Sequence, residues 1–353
     1  MDWVKGAAIG RGKSGAVHLA FRRGFSPEIF AVKSSPLSSA AVLKREESIL
    51  AELQGCRQII SCFGHDITAG SAYNLFLEYA DGGSISSAIA AGTSMPELNV
   101  RRYLRSILLG VNHIHAMGYV HCDIKPENIL VSGGEAKIAD FNLAMRSSEK
   151  IVEEIRGTPM YMAPESVARN EYEAAADIWA VGCTVVEMVS GRKPWQNIDL
   201  VSENGIWALL LRIGSGDAVP EIPPEMSEEG KDFLRRCLVR DPGRRWTAEM
   251  LLSHPFITSV SETGAGEEEA TKSGESSVIP TASPISVLGY SFPSDPLSPT
   301  KEELMDPFGF RSDEEAARER IRELGSKQRP VWLSCSSEEG WISVREGSSS
   351  CQQ

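Results

Sequence analysis

The sequence predicts an α+β protein built as two lobes, a small β-rich one followed by a larger, mainly helical one, and three observations predict it. Before about residue 80 the apolar residues come in short strand-like runs: Val17, Leu19 and Phe21 alternate, and Leu75-Phe76-Leu77 is bounded by polar residues. Further on, apolar residues recur at spacings of three and four over long segments, the period of a helix with a buried face. Between the two regimes stands Asp81-Gly82-Gly83, a turn signal that reads as the hinge.

Composition bounds the possibilities. With 353 residues, 42% apolar and 24% charged, the chain suits two or three structural units of a globular protein. No run of about 18 apolar residues occurs, so no membrane span is expected. Met1-Asp2-Trp3-Val4-Lys5 lacks the features of a secretory signal, and a cytoplasmic or nuclear location is expected. A net charge of −12 opposes binding to phosphate backbones, which argues against a nucleic-acid partner. Residues 261–353 hold 17 acidic against 9 basic side chains and are rich in Ser, Gly and Pro. They are expected to form a largely disordered, regulatory tail behind a folded body at 1–260. The seven cysteines, an odd number without CxxC or Cys/His clusters, read as reduced thiols rather than disulfides or a metal site.

Along the body, Ile9-Gly10-Arg11-Gly12-Lys13-Ser14-Gly15-Ala16-Val17 leads into His18-Leu19-Ala20-Phe21, so its glycines sit in a strand-turn-strand. A Walker A loop would need glycine where Ala7 stands and a helix afterwards, and a dinucleotide motif would also open a helix, so neither reading holds. Phe30-Ala31-Val32-Lys33 is a strand ending in lysine, and Val42 to Leu53 is a helix. Glu46 has Val42, Leu43, Ile49 and Leu50 on its helical face, which places a carboxylate in an apolar stripe. Such a group needs a partner, for which Lys33 is the upstream candidate, or else the helix rolls to bring it to solvent. A long core helix runs from Val100 to a stop at Gly118, with His113 and His115 structural on it. Asp177 to Ser190 is apolar nearly all round and should be a buried central helix, capped by Asp177 and stopped by Gly191.

Between these helices lie Val120-His121-Cys122-Asp123-Ile124-Lys125-Pro126-Glu127-Asn128-Ile129-Leu130 and Asp140-Phe141-Asn142, followed by Gly157-Thr158-Pro159-Met160-Tyr161-Met162-Ala163-Pro164-Glu165 and Asp241-Pro242-Gly243-Arg244-Arg245. With these segments in order behind the glycine loop, Lys33 and Glu46, the chain resembles a eukaryotic protein kinase over about residues 3–257. The details Gly-Thr-Pro-Met-Tyr-Met-Ala-Pro-Glu, His-Cys-Asp and the Arg-Trp-Thr-Ala-Glu-Met-Leu-Leu-Ser-His-Pro-Phe end resemble plant kinases of the MAP kinase kinase kinase type.

The resemblance implies the two-lobed protein kinase fold, with lobes at about 1–80 and 81–257, and a role for each residue. ATP and Mg2+ would be bound, with Gly10, Arg11, Gly12, Lys13, Ser14 and Gly15 over the phosphates and Ile9 and Val17 also in the ATP site. Ala31, Leu77, Glu78, Ala80 and Leu130 would stand around the adenine. Lys33 would hold phosphate and Glu46 would hold Lys33. Asp123 would take the proton of the substrate hydroxyl, and Lys125 would steady the γ-phosphate, as in kinases acting on Ser or Thr. Asn128 and Asp140 would bind metal, both supplying hard oxygen donors. Asp177 would also anchor the catalytic loop, and Glu165 would pair with Arg245. The implied protein substrate is a MAP kinase kinase, with the upstream regulator unidentified.

Two departures stand against that pattern. Cys122 replaces an arginine, so a phosphate at Ser147 or Thr158 would lose its main basic partner, leaving Arg146 or Arg156 as substitutes. Asn142 replaces the glycine after Asp140-Phe141, at a place where positive φ is expected. These favour the alternative reading, a pseudokinase acting as a signalling scaffold. In the tail, Ser283-Pro284 and Ser298-Pro299 are candidate proline-directed phosphorylation sites, and Glu314 to Leu324 has the composition of one short helix. Truncation after residue 260 is expected to leave an active, cooperatively unfolding enzyme; a thermal melt that drops by several degrees would show that the tail packs on the body.

Overall fold

The computed structural model describes residues 2–12, 15–23, 28–68, 71–89, 93–149, 155–195, 205–259, 318–320 and 322. Lys13, Ser14, the two Ser-Pro sites and most of the expected helix at Glu314 to Leu324 lie outside the described residues.

The N-terminal part is a five-stranded antiparallel sheet in the order β1-β2-β3-β5-β4. Its strands are β1 (Trp3–Gly12), β2 (Gly15–Arg22), β3 (Ile29–Pro36), β4 (Cys62–Thr68) and β5 (Ala72–Glu78). Helix α1 (Ala41–Glu52) packs on one face through Leu43, which clusters with Ala40, Tyr73 and Leu75. The other face is covered by an aromatic group, with Trp3 and Phe30 standing edge-on to Phe76 at centroid distances of 5.4 and 5.2 Å. Strand alternation sorts the two faces. Phe30, Val32 and Phe76 go to the aromatic side, and Ala31, Lys33 and Leu77 go to the side that meets α1. On α1 the buried stripe is Leu43, Glu46, Ile49 and Leu50; Val42, expected in that stripe, is 42% exposed because it sits at the rim of the face.

The larger part is helical. It contains α2 (Ile85–Ala88), α3 (Glu97–Ala116), α4 (Pro164–Arg169), α5 (Ala174–Ser190), α6 (Gly205–Gly214), α7 (Glu228–Cys237), α8 (Ala248–Leu252) and α9 (Pro255–Thr258). Two small hairpin-like ladders, β6 (Tyr119–Val120) with β9 (Met145–Arg146) and β7 (Ile129–Ser132) with β8 (Glu135–Ile138), cross between its helices. Helix α5 is central, and Ile178, Trp179, Val181, Val185, Val186 and Met188 on it are all almost wholly buried. Burial of each such large side chain is worth about 1.5–3 kcal/mol, which makes this helix the floor on which the rest is laid.

One expectation for α5 is corrected. Asp177 does not cap it, because the helix starts at Ala174 behind Glu173 and Asp177 lies inside the first turn. Its carboxylate is thereby free to serve another segment. The hinge is also built by backbone contacts: Gly82 N–H donates to Val131 O at 2.9 Å and Val131 N–H donates to Gly83 O at 2.8 Å. A Cβ on Gly82 would meet the Val131 side chain at 2.8 Å, so glycine is required for that approach.

Arg245 joins the core of this part. Its guanidinium donates to both oxygens of Glu165 at 2.6 and 3.0 Å and to the carbonyls of Ala175, Val239 and Arg240. Both side chains are buried, so truncating one strands the other charge. Arg245→Ala is expected to lower the unfolding free energy by about 3–5 kcal/mol, read from urea denaturation. A loss under about 1 kcal/mol, the value of an exposed pair, would contradict this account.

Candidate active site

Residues 10–12 and 15–17 are facing ends of β1 and β2, with Gly10 opposite Val17, Arg11 opposite Ala16 and Gly12 opposite Gly15. Gly15 has φ +139°, and a Cβ there would fall 2.2 Å from the Ser34 carbonyl oxygen on β3. The hairpin lies over that strand as only glycine permits. Register then sets the neighbours: Val17 pairs with Lys33, Lys33 with Leu75 and Ala31 with Leu77. Val17, Ala31, Lys33 and Leu77 therefore share one face, which looks toward the larger part.

Lys33 is the junction of three elements. Its Nζ donates to Glu46 on α1 at 2.8 Å and to Oδ1 of Asp140 at 3.0 Å. Glu46 also accepts the Phe141 N–H at 3.3 Å, so the inward carboxylate of α1 is fully engaged and the helix does not roll it to solvent. Burial pulls the lysine pKa down, but Asp140 and Glu46 outweigh it and hold the group above the ordinary lysine value. For Asp140, burial pushes upward and the Lys33 charge and hydrogen bond prevail, keeping it ionised.

The catalytic loop is held from beneath. Asp177 accepts the N–H groups of His121 and Cys122 at 2.8 and 2.9 Å and faces Nε2 of His115 at 2.9 Å. His121 is wholly buried; its Nδ1 accepts the Asp123 N–H at 3.2 Å, so Nε2 carries the hydrogen toward Ala139 O at 3.2 Å. On this base Asp123, Lys125, Asn128 and Thr158 converge. Lys125 pairs with Oδ2 of Asp123 at 2.9 Å and donates to the Thr158 hydroxyl at 2.7 Å, and that hydroxyl donates to Oδ1 of Asp123 at 2.7 Å. Burial lowers the Lys125 pKa, but the Asp123 charge and hydrogen bond more than reverse this. Thr158 is thus a bridge within the site and not a free phosphorylation target. Ser147 keeps its hydroxyl at the Gly118 carbonyl, 3.4 Å away.

The residues expected to bind metal fit a hard cation. Asn128 spends its amide nitrogen on Asp123, with 2.9 Å bonds to the backbone and carboxylate oxygens, so its carbonyl oxygen remains for a cation. Asp140 takes Lys33 and the Asn142 amide on Oδ1, which keeps Oδ2 for the same purpose. At the hinge, the Glu78 side chain faces into Lys137, Ser132 and the Ser61 N–H, and its own N–H donates to the Ser61 carbonyl at 2.8 Å. Leu130 lies on β7 beneath, next to a bridge with Ser84, and Ala80 O accepts the Gly83 N–H at 3.4 Å.

Both departures find a physical explanation. Positive φ falls on Asp140 (62°) and Cys122 (65°), and Asn142 sits in an ordinary 3-10 turn, so the missing glycine costs no backbone strain. Cys122 is read through its backbone, and its thiol points at Val120 O. Burial and the Asp177 charge push that thiol well above the ordinary value, which leaves it neutral and unreactive. In place of an arginine–phosphate contact, the segment after Asp140 is tied to α1 by Arg45 with Glu149 at 2.9 Å, by Arg45 with the Ala144 carbonyl, and by Arg146 with Glu52. Sequence reasoning missed Arg45 as part of the site, and it read Thr158 as a candidate phosphorylation site and a mark of Ser/Thr specificity rather than as a bridge to Asp123. It also missed Glu47, which accepts the Tyr73 hydroxyl and binds His65 at 2.8 Å behind α1. Nothing in their spacing marks them, because each meets a partner far along the chain.

This arrangement, with a glycine-rich β1–β2 ladder, a Lys33–Glu46–Asp140 cluster and a buried loop carrying Asp123 and Asn128, is that of a protein kinase, and residues 3–257 match the protein kinase domain pattern. The chain belongs to the protein kinase family. It is 49% identical over 273 residues to mitogen-activated protein kinase kinase kinase 20 of Arabidopsis thaliana, an alignment spanning 73% of this chain and 79% of the relative. Mitogen-activated protein kinase kinase kinase 17 of the same plant is 43% identical over 73% and 70% of the two chains. The yeast serine/threonine-protein kinase SSK22 is 34% identical over 76% of this chain and 22% of its own. The protein is therefore an ATP-dependent serine/threonine kinase, and the family implies a divalent metal with ATP.

Because the segment is anchored without a phosphate, enzyme stripped by phosphatase is expected to keep most of its activity, and Cys122→Arg should make activity more dependent on phosphorylation. Loss of activity on stripping, regained on rephosphorylation of residues 140–165, would show that a phosphate is required after all.

Proposed function

We propose that the chain is a MAP kinase kinase kinase, transferring the γ-phosphate of Mg2+-bound ATP to Ser or Thr of MAP kinase kinases in the cytoplasm or nucleus. The observation that carries the reading is the single assembled constellation of Lys33, Glu46, Asp123, Lys125, Asn128 and Asp140. The names of the relatives support the choice of substrate class. Gly10, Gly12 and Gly15 allow the backbone of the β1–β2 ladder to lie close against the phosphates. Ile9, Val17, Ala31, Leu77 and Leu130 form the apolar walls for the base, and the backbone of Glu78 and Ala80 its polar edge. Lys33, held by Glu46, orients the α and β phosphates. Asp123 orients the acceptor hydroxyl and takes its proton, while Lys125 balances charge on the γ-phosphate. Asn128 and Asp140 would hold the cation, whose charge would offset that developing on the phosphates. Transfer of this kind depends on positioning and electrostatics rather than covalent help from the protein, which is what a preassembled set of charges supplies.

Lys33→Met and Asp123→Asn are each expected to lower kcat by about 100-fold or more in a magnesium–ATP assay while the protein remains folded by thermal melt. A panel of plant MAP kinase kinases should gain phosphoserine or phosphothreonine and no phosphotyrosine. Wild-type protein that binds ATP but transfers nothing would identify a scaffold instead.

A further inference from the structure

The loop after α5 carries a lysine that the reaction does not use. Lys193 reaches Oε1 of Glu127 at 2.9 Å and Oε1 of Glu187 at 2.8 Å, and it donates to the Tyr161 hydroxyl at 3.1 Å. That hydroxyl donates in turn to Glu187, and the ammonium stands 5.7 Å from the centre of the Tyr161 ring. The partners come from the segments that build the reaction centre. Glu127 follows Lys125 by two residues, and Tyr161 follows the Thr158 bridge by three. Glu187 rises from α5 beneath them. The side chains of Glu127 and Glu187 are 19% and 6% exposed, whereas that of Lys193 is 42% exposed, so the lysine closes the solvent side of a two-carboxylate seat. Trp195 fixes the loop by donating from Nε1 to the Met160 carbonyl at 3.1 Å.

Charge and position say what the seat would do if open. Two poorly solvated carboxylates and a phenolic ring beside a loop that handles a protein substrate make a receptor for a guanidinium or ammonium group. Here the cation is supplied by the chain itself. We propose that Lys193 is a specificity-determining residue: it fills this seat and makes the enzyme reject protein substrates that carry arginine or lysine close to the acceptor hydroxyl. An incoming basic side chain meets like charge and finds its carboxylate partners already bonded. The inference rests on the reading of Asp123 and Lys125 as the transfer centre. If Lys193 were only a staple between α5 and the segment around Tyr161, its loss would cost stability and leave selectivity alone.

A positional scan tests it, using the full chain and serine peptides in which arginine replaces alanine at each position flanking the acceptor in turn. For the wild type, arginine is expected to lower kcat/KM or leave it unchanged at every position. For Lys193→Met, arginine at one or two neighbouring positions should raise kcat/KM by about tenfold over the alanine parent, mainly through KM. Lys193→Arg should keep the wild-type pattern, and adding Glu127→Gln to Lys193→Met should erase the gain. Lys193→Gln, which can still donate to Tyr161 and Glu187, serves if the methionine variant does not fold. A wild type that already prefers arginine at such a position overturns the proposal, as does a folded Lys193 variant with an unchanged scan. Absence of turnover on every peptide would refute the transfer centre itself rather than the seat.

Discussion

An ammonium group buried between two carboxylates holds this protein in one working arrangement. Lys33 belongs to the sheet, Glu46 to the helix packed on it, and Asp140 to the segment of the larger part that follows β8. Lys33 and Glu46 are almost wholly buried and neither tolerates burial alone, since an isolated ion in the interior costs several kcal/mol. Each is therefore held where the other two can reach it. The orientation of α1 and the turn at Asp140-Phe141-Asn142 follow, and the Phe141 N–H adds a second tie to Glu46.

The larger part repeats the logic with a different purpose. Asp177 lies in the first turn of the buried helix α5, and its ionised form is held by hydrogen bonds from the backbone of the loop above it and from His115. Burial works against that carboxylate, yet the histidine and the two N–H groups keep its pKa below the ordinary value. The loop from His121 to Asn128 is thus mounted on a deeply buried helix and held through main-chain atoms. Its side chains remain free to face the reactants, and position 122 can carry a cysteine without disturbing the mount.

Much of this was legible in the sequence because it depends on local pattern or on ordered motifs. Alternation marked β2, a short bounded apolar run marked β5, the inward place of Glu46 on its helix demanded a cation, and Gly118 and Gly191 both stand at helix ends with positive φ. What escaped depends on where distant segments meet. Val42 has an apolar identity but lies on the rim, which periodicity cannot separate from the centre of a stripe. Asp177 has the type and place of a helix cap, and only the true start at Ala174 shows that it serves the loop instead. The positive φ expected at Asn142 belongs to Asp140, two residues earlier, because the turn takes its left-handed step at the residue that precedes the 3-10 turn. Thr158 offered a hydroxyl that looks modifiable, and its use as a bridge emerges only when the segment folds back over Asp123.

The contact at Gly15 has a consequence for heredity. A hydrogen stands where any other amino acid would put a carbon atom 2.2 Å from a carbonyl oxygen of the next strand. Every missense change of a glycine codon introduces that carbon, whatever follows it in the side chain. Tolerance at this codon is accordingly all or none: alanine is excluded by the same atom as tryptophan, and no graded series of milder alleles exists between the native hairpin and a displaced one.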